Sequence, residues 1–288
     1  MAHFANVRYP ATPYGSSMPH TILITGASSG IGRAAALHFH RAGWNVVATM
    51  RSPERDTVLS ALDQVLVTRL DVLDHDSIEQ AVEAGMARFG GIDVLLNNAG
   101  YGAYGPLEAT TIDRIRQQFD VNVIGLLATT KALLPHFRRQ RRGTIVNISS
   151  IGGRMTFPLG TLYHGSKFGV EGLSEALQYE LRPLGIRIKI IEPGMVNTDF
   201  AGRSFEFSHD PALTEYQPVV DALLGAMGPM AATASSPESI AEVIFAAATD
   251  PDDRLRYEAG ADAVALLANR RTADDATFIG ALRAQFGL

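Results

Sequence analysis

Short apolar runs alternate with longer amphipathic stretches over most of this chain. The runs are rich in Ile, Leu and Val, which is typical of strands buried on both faces, and the stretches between them repeat apolar residues at helical spacing. We predict strands at 21–24, 44–51, 65–70, 92–96, 143–150 and 187–191, and helices at 33–42, 77–89, 111–140 and 161–184. Strands that alternate with helices are joined by right-handed crossovers. The predicted fold class is therefore α/β, with one doubly wound parallel sheet flanked by helices on both faces.

The two ends of the chain follow other patterns. Residues 1–19 are rich in Pro, Gly and Ser without the apolar centre of a secretory signal, so we expect a disordered extension, with Met1 or Met18 as the start. Residues 201–232 mix apolar and polar positions, as in a substrate-binding loop or lid, although packing under the loop explains the apolar ones equally well. Residues 237–248, 262–270 and 273–286 predict helices, with a short strand at 255–258. We predict a single domain over 20–288, whose C-terminal helical region is 233–288.

Composition removes several classes of function. A net charge of -5 argues against a nucleic-acid-binding protein. The absence of Cys excludes disulfides and thiol nucleophiles, and the eight His show no metal-ligand spacing, so we predict no metal site. No apolar run approaches the roughly 18 residues of a membrane span. We expect a cytoplasmic protein.

The first strand is followed by a glycine-rich turn, Thr25-Gly26-Ala27-Ser28-Ser29-Gly30-Ile31-Gly32. Converging backbone N–H groups at such a turn and helix N-terminus can bind a phosphate. The spacing is not the usual dinucleotide fingerprint, so a plain strand-to-helix turn is an equal alternative. The second strand ends at Met50-Arg51 without a carboxylate, which favours the 2'-phosphate of NADP over NAD, unless Arg51 is simply a solvated side chain.

Polar residues also follow the next strands. Asp71 could accept a hydrogen bond from an adenine amino group, or cap the following helix together with Asp74 and Asp76. Small residues in Asn97-Asn98-Ala99-Gly100 would let a ring lie against the backbone. Asn122 lies inside a predicted helix, where it needs either solvent or a specific partner, and its apolar neighbours favour the partner.

The strongest chemical signal lies between Ser150 and Lys167. Ser150 lies where the fifth strand leaves the sheet, and ligands bind outside the carboxyl ends of parallel strands. Tyr163 and Lys167 are four residues apart on one helix face, where an ammonium favours the phenolate and prepares Tyr163 for acid-base work. The alternative is that a Tyr and a Lys four residues apart on a helix are ordinary surface neighbours without a catalytic role.

In this order and spacing, the motifs resemble the short-chain dehydrogenase/reductase superfamily, which has a Rossmann-type fold. The resemblance covers 21–200 and rests on TGASSGIG (25–32), Asp71-Val72, NNAG (97–100), Asn122, Ser150, Tyr163 with Lys167, and PGMVNT (193–198). It implies that Tyr163 is the catalytic acid-base and that Ser150 donates to the substrate oxygen. It further implies that Lys167 holds the nicotinamide ribose and lowers the Tyr163 pKa, and that Asn122 anchors a water.

The predicted cofactor site draws on every one of these segments. Its residues are Gly26, Ser28, Ser29, Gly30, Ile31, Gly32, Arg51, Asp71, Val72, Asn98, Ala99, Gly100, Tyr163, Lys167, Pro193, Gly194, Val196 and Thr198. His164 and Gly165 depart from the family's usual small residues, which leaves the shape of the pocket open. The stretch 97–108 and the Met50-Arg51 strand end resemble the branch of hydroxysteroid and retinol dehydrogenases.

The function predicted from this resemblance is an NADP(H)-dependent oxidoreductase, such as a carbonyl reductase, that interconverts an alcohol and a ketone or aldehyde. We expect a hydrophobic small-molecule substrate and, by analogy, a homodimer or homotetramer. One alternative is a ketoacyl-thioester reductase, for which the basic cluster Arg138, Arg139, Arg141 and Arg142 would dock an acidic carrier. The cluster also suits a solvated helix end. A second alternative is an NADP(H)-binding regulator without catalysis.

Overall fold

The computed structural model describes residues 19–198 and 204–288. The extension predicted at 1–19 lies almost wholly outside the described residues, as do the first three residues of the stretch 201–232. Within the described part, no helix has both the length and the apolar character needed to cross a membrane.

The described residues form two parallel sheets. Their strands are β1 (Thr21–Ile24), β2 (Asn45–Met50), β3 (Val65–Arg69), β4 (Val94–Asn97), β5 (Gly102–Tyr104), β6 (Gly143–Ile148), β7 (Ile186–Pro193), β8 (Phe205–Phe207) and β9 (Arg256–Ala259). The main sheet has seven strands in the order β3-β2-β1-β4-β6-β7-β9, and the small one pairs β5 with β8. The predicted fold class, a doubly wound parallel sheet, is confirmed.

Helices cover both faces of the main sheet. They are α1 (Gly30–Arg41), α2 (His75–Phe89), α3 (Ile112–Phe119), α4 (Gly125–Gln140), α5 (Thr161–Leu181), α6 (Gln217–Ala232), α7 (Pro237–Thr249), α8 (Ala261–Thr272) and α9 (Asp275–Gln285). One apolar core packs α1 and α7 against the sheet, and a second core on the opposite face includes residues of α2, α4 and α5. The strands are apolar throughout because both of their faces are buried.

The strand order reverses direction between β1 and β4, and this reversal places the crevice. Ile22 and Leu23 of β1 pair with β2 on one side and with β4 on the other. Crossover connections leave these neighbouring strands toward opposite faces, so the carboxyl ends of the strands stay uncovered at this point. The glycine turn after β1 and the NNAG segment after β4 border the resulting crevice.

The single helix predicted at 111–140 is wrong in one detail. It is divided into α3 and α4 by a π-helical turn at Asp120–Ile124, which carries Asn122. A π turn adds one residue to the helix and is common at functional sites. The Asn122 side chain is buried and hydrogen-bonded to the backbone of Tyr101, so the turn carries a specific contact.

The stretch 201–232, predicted as a loop, contains secondary structure. Residues Phe205–Phe207 form β8, which pairs in parallel with β5, and residues 217–232 form α6. The pairing joins segments about a hundred residues apart, and the sequence pattern of three residues cannot reveal it. The predicted C-terminal helices correspond to α7, α8 and α9, and the short strand between them is β9.

Candidate active site

The glycine turn after β1 is shaped by close backbone contacts. Gly26 and Gly30 have φ of +69° and +51°, a region that favours glycine. A Cβ on Gly32 would lie 2.3 Å from the Gly26 carbonyl oxygen, so any side chain there would push the turn apart. The side-chain amide of Asn98 donates to the carbonyls of Thr25 (2.9 Å) and Gly26 (3.1 Å). Asn98 therefore ties the NNAG segment to the glycine turn.

This turn fits the phosphates of a nicotinamide dinucleotide. It is bare of bulky side chains and opens into α1, whose N-cap residue Ser29 makes no side-chain capping bond. Unsatisfied N–H groups at a helix N-terminus and its positive dipole favour an anion. A Cβ on Gly30 would lie 3.2 Å from the Thr198 methyl group, so the loop after β7 closes the other side of the same cradle.

Residues of the C-terminal region hold the loop after β7 in place. Pro193 ends β7, and the backbone N–H of Met195 donates to the Asp262 carboxylate at 2.7 Å. A Cβ on Gly194 would lie 2.1 Å from the same carboxylate, so a side chain there would displace Asp262. Val196 forms a parallel bridge with Ser235. Asp262 is a site residue that sequence reasoning missed, since 67 residues separate it from the backbone group it holds.

The predicted adenosine contacts lie at the ends of β2 and β3. Arg51 is exposed directly after β2. The Asp71 carboxylate accepts from the backbone N–H of Leu73 (3.1 Å), whereas Asp74 caps α2 by accepting from Ser77 (3.2 Å). The helix cap is thus Asp74. Val72 packs on Gly125, where a Cβ would lie 2.7 Å away.

Ser150 lies two residues beyond the end of β6 and is 8% exposed. Its hydroxyl oxygen accepts from the Gly152 N–H at 3.0 Å, and it also forms a hydrogen bond with Tyr163. A long contact of 3.5 Å joins the hydroxyl to the Pro193 carbonyl. The structure therefore brings the two predicted hydroxyl groups together at the carboxyl edge of the sheet.

The pKa of Tyr163 moves in the direction opposite to the one expected from a neighbouring ammonium. Burial raises the Tyr163 pKa, and the hydrogen bond with Ser150 lowers it by a smaller amount. The nitrogen of Lys167 lies 5.9 Å from the centroid of the Tyr163 ring. The phenol is consequently protonated at neutral pH, while a pKa-lowering effect of Lys167 stays a prediction.

Lys167 is buried one helical turn beyond Tyr163. Its ammonium donates to the Ile148 carbonyl at 2.8 Å, at the end of β6. Burial lowers the Lys167 pKa to about 8, and the charge of Glu171 opposes this effect. Lys167 is therefore mostly cationic at neutral pH, close to a carboxylate four residues further along α5.

Asn122 is bound entirely within the protein. Its amide oxygen accepts from the Tyr101 N–H (3.0 Å), and its amide nitrogen donates to the Tyr101 carbonyl (2.9 Å) and the Ser166 hydroxyl (3.1 Å). Ser166 in turn donates to the Tyr163 carbonyl at 2.7 Å. Because both side-chain N–H groups are used, a water at Asn122 would have to bind an oxygen of this residue.

An ionic network that includes two buried carboxylates lies behind Lys167, and the sequence analysis does not predict it. Arg256 of β9 donates to Glu171 at 2.8 Å and lies 3.7 Å from Glu192, which also pairs with Arg154 at 3.2 Å. Burial and the charge of Glu171 raise the Glu192 pKa to about 7. The spacing of Glu171 and Lys167 on one helix face was a signal available in the sequence.

Aromatic rings lie beside the candidate catalytic phenol. The Tyr104 ring lies 5.5 Å from the Tyr163 ring and 5.2 Å from the Phe205 ring, between centroids, and Phe205 stacks with Phe207 at 6.1 Å. Burial raises the Tyr104 pKa well above its usual range. The small sheet of β5 and β8 thus places an apolar wall beside the candidate catalytic phenol.

Comparison with known proteins agrees with this fold and with the arrangement of these residues. A family model described as short chain dehydrogenase matches residues 20–208. The chain therefore belongs to the short-chain dehydrogenase family, whose fold binds a nicotinamide cofactor and whose members act on small molecules.

Relatives in curated collections support the same assignment. An uncharacterized oxidoreductase of Schizosaccharomyces pombe is 48% identical over 239 residues, which cover 83% of this chain and 100% of the relative. A 3-ketodihydrosphingosine reductase of Bacteroides thetaiotaomicron is 43% identical, with 63% and 66% of the two chains covered. Retinol dehydrogenase 8 of Bos taurus is 40% identical, with 65% and 62% covered.

Solved structures share the fold over nearly the whole chain. A short-chain dehydrogenase from Streptomyces avermitilis has a TM-score of 0.78 and 35% identity, covering 94% of this chain and 96% of its own. Two others carry cofactors and are both 26% identical. ElxO with NADP bound has a TM-score of 0.69 with 84% and 98% covered, and a Burkholderia phymatum enzyme in complex with NAD has 0.76 with 91% and 95% covered.

Proposed function

We propose that this protein is an NADP(H)-dependent oxidoreductase that interconverts an alcohol and a ketone or aldehyde by hydride transfer. The observation that carries the proposal is the hydrogen-bonded pair of hydroxyls, Ser150 and Tyr163, beside the buried Lys167. All three lie at the crevice bordered by the glycine turn and the loop after β7. The cofactor, when bound, supplies or accepts the hydride.

The residues of the chain manage the charge and the proton of the reaction. Negative charge grows on the substrate oxygen as hydride reaches a carbonyl carbon, and donors placed at that oxygen stabilise the transition state more than the substrate. Tyr163 gives its proton to this oxygen in reduction and takes it back in oxidation. Ser150 donates its O–H to the same oxygen, which requires that it release its contact to the Pro193 carbonyl.

The proton states favour reduction at neutral pH. Burial keeps the Tyr163 phenol protonated, which suits a proton donor. Lys167, with a pKa of about 8, is cationic below that pH and can stabilise a phenolate after the proton has been transferred. As pH rises through 8 this charge is lost. We therefore expect reduction to weaken above pH 8.

Arg51 supports the preference for NADP(H). It follows β2, at the place where the cofactor's ribose lies in this fold class, and a guanidinium binds a phosphate through two parallel hydrogen bonds. We expect Arg51→Asp to lower the NADPH-to-NADH ratio of kcat/KM by about 10- to 100-fold, the equivalent of roughly 1.4–2.8 kcal/mol.

The matched control for Arg51 is Arg55→Asp. Arg55 is exposed in the turn just beyond β2, so this variant changes the net charge equally at a nearby point. If the NADPH-to-NADH ratio of kcat/KM falls equally in both variants, the effect is one of long-range charge. If the ratio is unchanged in Arg51→Asp, the 2'-phosphate role is contradicted.

The aromatic wall of Tyr104, Phe205 and Phe207 supports a hydrophobic substrate. Relatives named for 3-ketodihydrosphingosine and for retinol act on substrates with long apolar parts, in line with this expectation. Paired apolar and polar ketones and aldehydes should be screened by the loss of NADPH absorbance. We expect turnover of the apolar members. Tight NADPH binding without turnover of any compound would instead favour a non-catalytic regulator.

The ketoacyl-thioester reductase stays an alternative to this proposal. Within the arginine cluster at the end of α4, Arg141 donates to the Pro183 carbonyl at 3.0 Å and Arg142 lies 3.5 Å from Asp93. Both contacts fit a helix end tied to its neighbours. The homodimeric or homotetrameric state and the cytoplasmic location stay predictions.

A further inference from the structure

His164 follows Tyr163 directly and is buried, with 3% exposure. Its Nδ1 lies 2.9 Å from the Gly152 carbonyl oxygen, and its Nε2 lies 2.9 Å from the Phe157 backbone nitrogen. The ring therefore joins the first turn of α5 to two points of the segment between Ser150 and α5. In the sequence, His164 departs from the small residues usual at this position of the family pattern.

These two partners determine the protonation of the ring. A carbonyl oxygen only accepts, so Nδ1 must carry a hydrogen. A backbone N–H only donates, so Nε2 must be bare and accept it. The imidazole is consequently neutral, in the Nδ1–H tautomer, and burial lowers the His164 pKa while the bond to Gly152 raises it by a smaller amount.

Two glycines make room for the ring. A Cβ on Gly152 would lie 2.8 Å from Nδ1, and a Cβ on Gly160 would lie 2.5 Å from Cδ2 of His164. Gly152 links the ring to Ser150. Its N–H donates to the Ser150 hydroxyl oxygen at 3.0 Å, and its own carbonyl accepts from His164 at 2.9 Å. The ring thus holds, through one residue, the group that orients Ser150.

We propose that neutral His164 is a positioning residue that fixes the Ser150 turn against the helix carrying Tyr163, and that its protonation at acid pH releases this turn. A second ring hydrogen at Nε2 would face the Phe157 N–H, leaving two donors without an acceptor. The proposal rests on the proposed function, since it assigns His164 a part in the same site.

The sign of the pH dependence follows from the neutral state. A histidine whose pKa is lowered on folding stabilises the fold above its ordinary value near 6.5, and this contribution is lost as pH falls through the lowered value. The titratable groups facing the ring are the phenols of Tyr104 and Tyr163, at 6.0 and 5.6 Å between centroids. Both have raised pKa values and stay neutral in this range. Arg154, on the adjoining turn, is paired with Glu192.

Nitrogen-15 NMR of the histidine rings tests the state of His164 without reference to turnover. In the full-length protein, the signal that disappears in His164→Asn should show the Nδ1–H tautomer at pH 7 and should titrate only below about 6.5. A cationic ring or the Nε2–H tautomer at pH 7 would overturn the inference, whatever the enzyme's activity.

Kinetics of two substitutions test the positioning role. His164→Phe keeps a ring but loses both hydrogen bonds, and we expect kcat to fall about 10- to 100-fold, as displaced catalytic groups commonly do. His164→Asn can still donate to Gly152 from its amide, so most of kcat should return. Cofactor affinity, measured directly, should be unchanged in both. If His164→Phe does not fold, His164→Asn carries the test alone through its pH profile.

The pH dependence of kcat on the acid side distinguishes His164 from Glu192, whose pKa is about 7. We expect the decline of kcat below neutral pH to flatten in His164→Asn and to persist in Glu192→Gln. The reverse result would overturn the inference and assign the decline to Glu192. Failure of the proposed function looks different, because then Tyr163→Phe would retain turnover.

Discussion

The glycine turn, on the side of the crevice proposed for the cofactor, is a local feature of the sequence. The aromatic wall, on the side proposed for the substrate, is formed by side chains that meet only in the folded chain. On the first side, Gly26, Gly30 and Gly32 lie within one turn and are recognisable in the sequence. On the second side, Tyr104 meets Tyr163 and Phe205, which come from three distant segments. We therefore propose that cofactor binding and substrate selection depend on different parts of the structure.

This separation allows the two functions to be damaged independently. Thr25 of the glycine turn is hydrogen-bonded to Asn98, so the turn is tied to the ends of β1 and β4 at the centre of the sheet. Contacts of β8 involve β5 and α3, near the surface. Strain in the turn should consequently reach the core, while strain at β8 should stay local.

Gly32→Ala should have the largest effect, on the cofactor side. Its Cβ would lie 2.3 Å from the Gly26 carbonyl oxygen and 2.6 Å from the Asn98 amide nitrogen. We expect nicotinamide binding to be lost and the free energy of unfolding to fall by about 1–3 kcal/mol, which is the usual cost of overpacking. Calorimetric titration with NADPH and chemical denaturation measure both. Gly280→Ala, on an exposed face of α9 with open space around it, is the control that should bind normally.

Gly105→Ala should have the next largest effect, on the substrate side. Gly105 has φ +126°, and a Cβ would lie 2.1 Å from the Ser208 carbonyl oxygen, where β8 ends. We expect KM for an apolar substrate to rise about 10-fold with cofactor affinity unchanged, because β8 is forced away from β5.

Gly90→Ala isolates the backbone strain from the contact. Gly90 also has positive φ, at +79°, but a Cβ there meets nothing within 4 Å. It should lose about 1–2 kcal/mol of stability from the left-handed conformation without any change in KM. A rise in KM in both variants would contradict the local role of the β5–β8 contact.

Arg114→Gln should have the smallest effect. Arg114 of α3 pairs with Glu206 of β8 at 2.7 Å, and both side chains are about 40% exposed, so the pair contributes at most roughly 1 kcal/mol. We expect KM for an apolar substrate to rise by less than about fivefold, and less at high salt. Arg116→Gln, which removes a more exposed pair with Asp113 on the same helix, should leave KM unchanged. Arg116→Gln retains the pair between Arg114 and Glu206. If KM changes with salt concentration in neither variant, the ion pair does not hold β8.

What could be predicted from the sequence follows the same division. The strands and the NNAG and glycine segments were predictable because apolar periodicity and turn glycines act over a few residues. The spacing of Tyr163 and Lys167 placed them together because one helix carries both. The Ser150 contact with Tyr163 needed the resemblance as well as the topology.

The rest depends on contacts between distant segments. The π turn carries Asn122, whose amide binds the Tyr101 backbone, and nothing in the helical pattern of 111–140 marks this turn. The β5–β8 pairing, the Asp262 bond to Met195 and the Arg256 bond to Glu171 each join residues more than 60 positions apart. Burial also raises the Tyr163 pKa, an effect that the helical spacing of Tyr163 and Lys167 does not reveal.

The most direct test of the central claim is Tyr163→Phe, which removes only the hydroxyl. With an apolar carbonyl substrate identified in the screen, we predict that kcat falls by about 10²–10⁴-fold, the usual contribution of general acid-base catalysis. NADPH affinity, measured by titration, should change by less than about threefold. Turnover equal to that of the wild type would contradict the account.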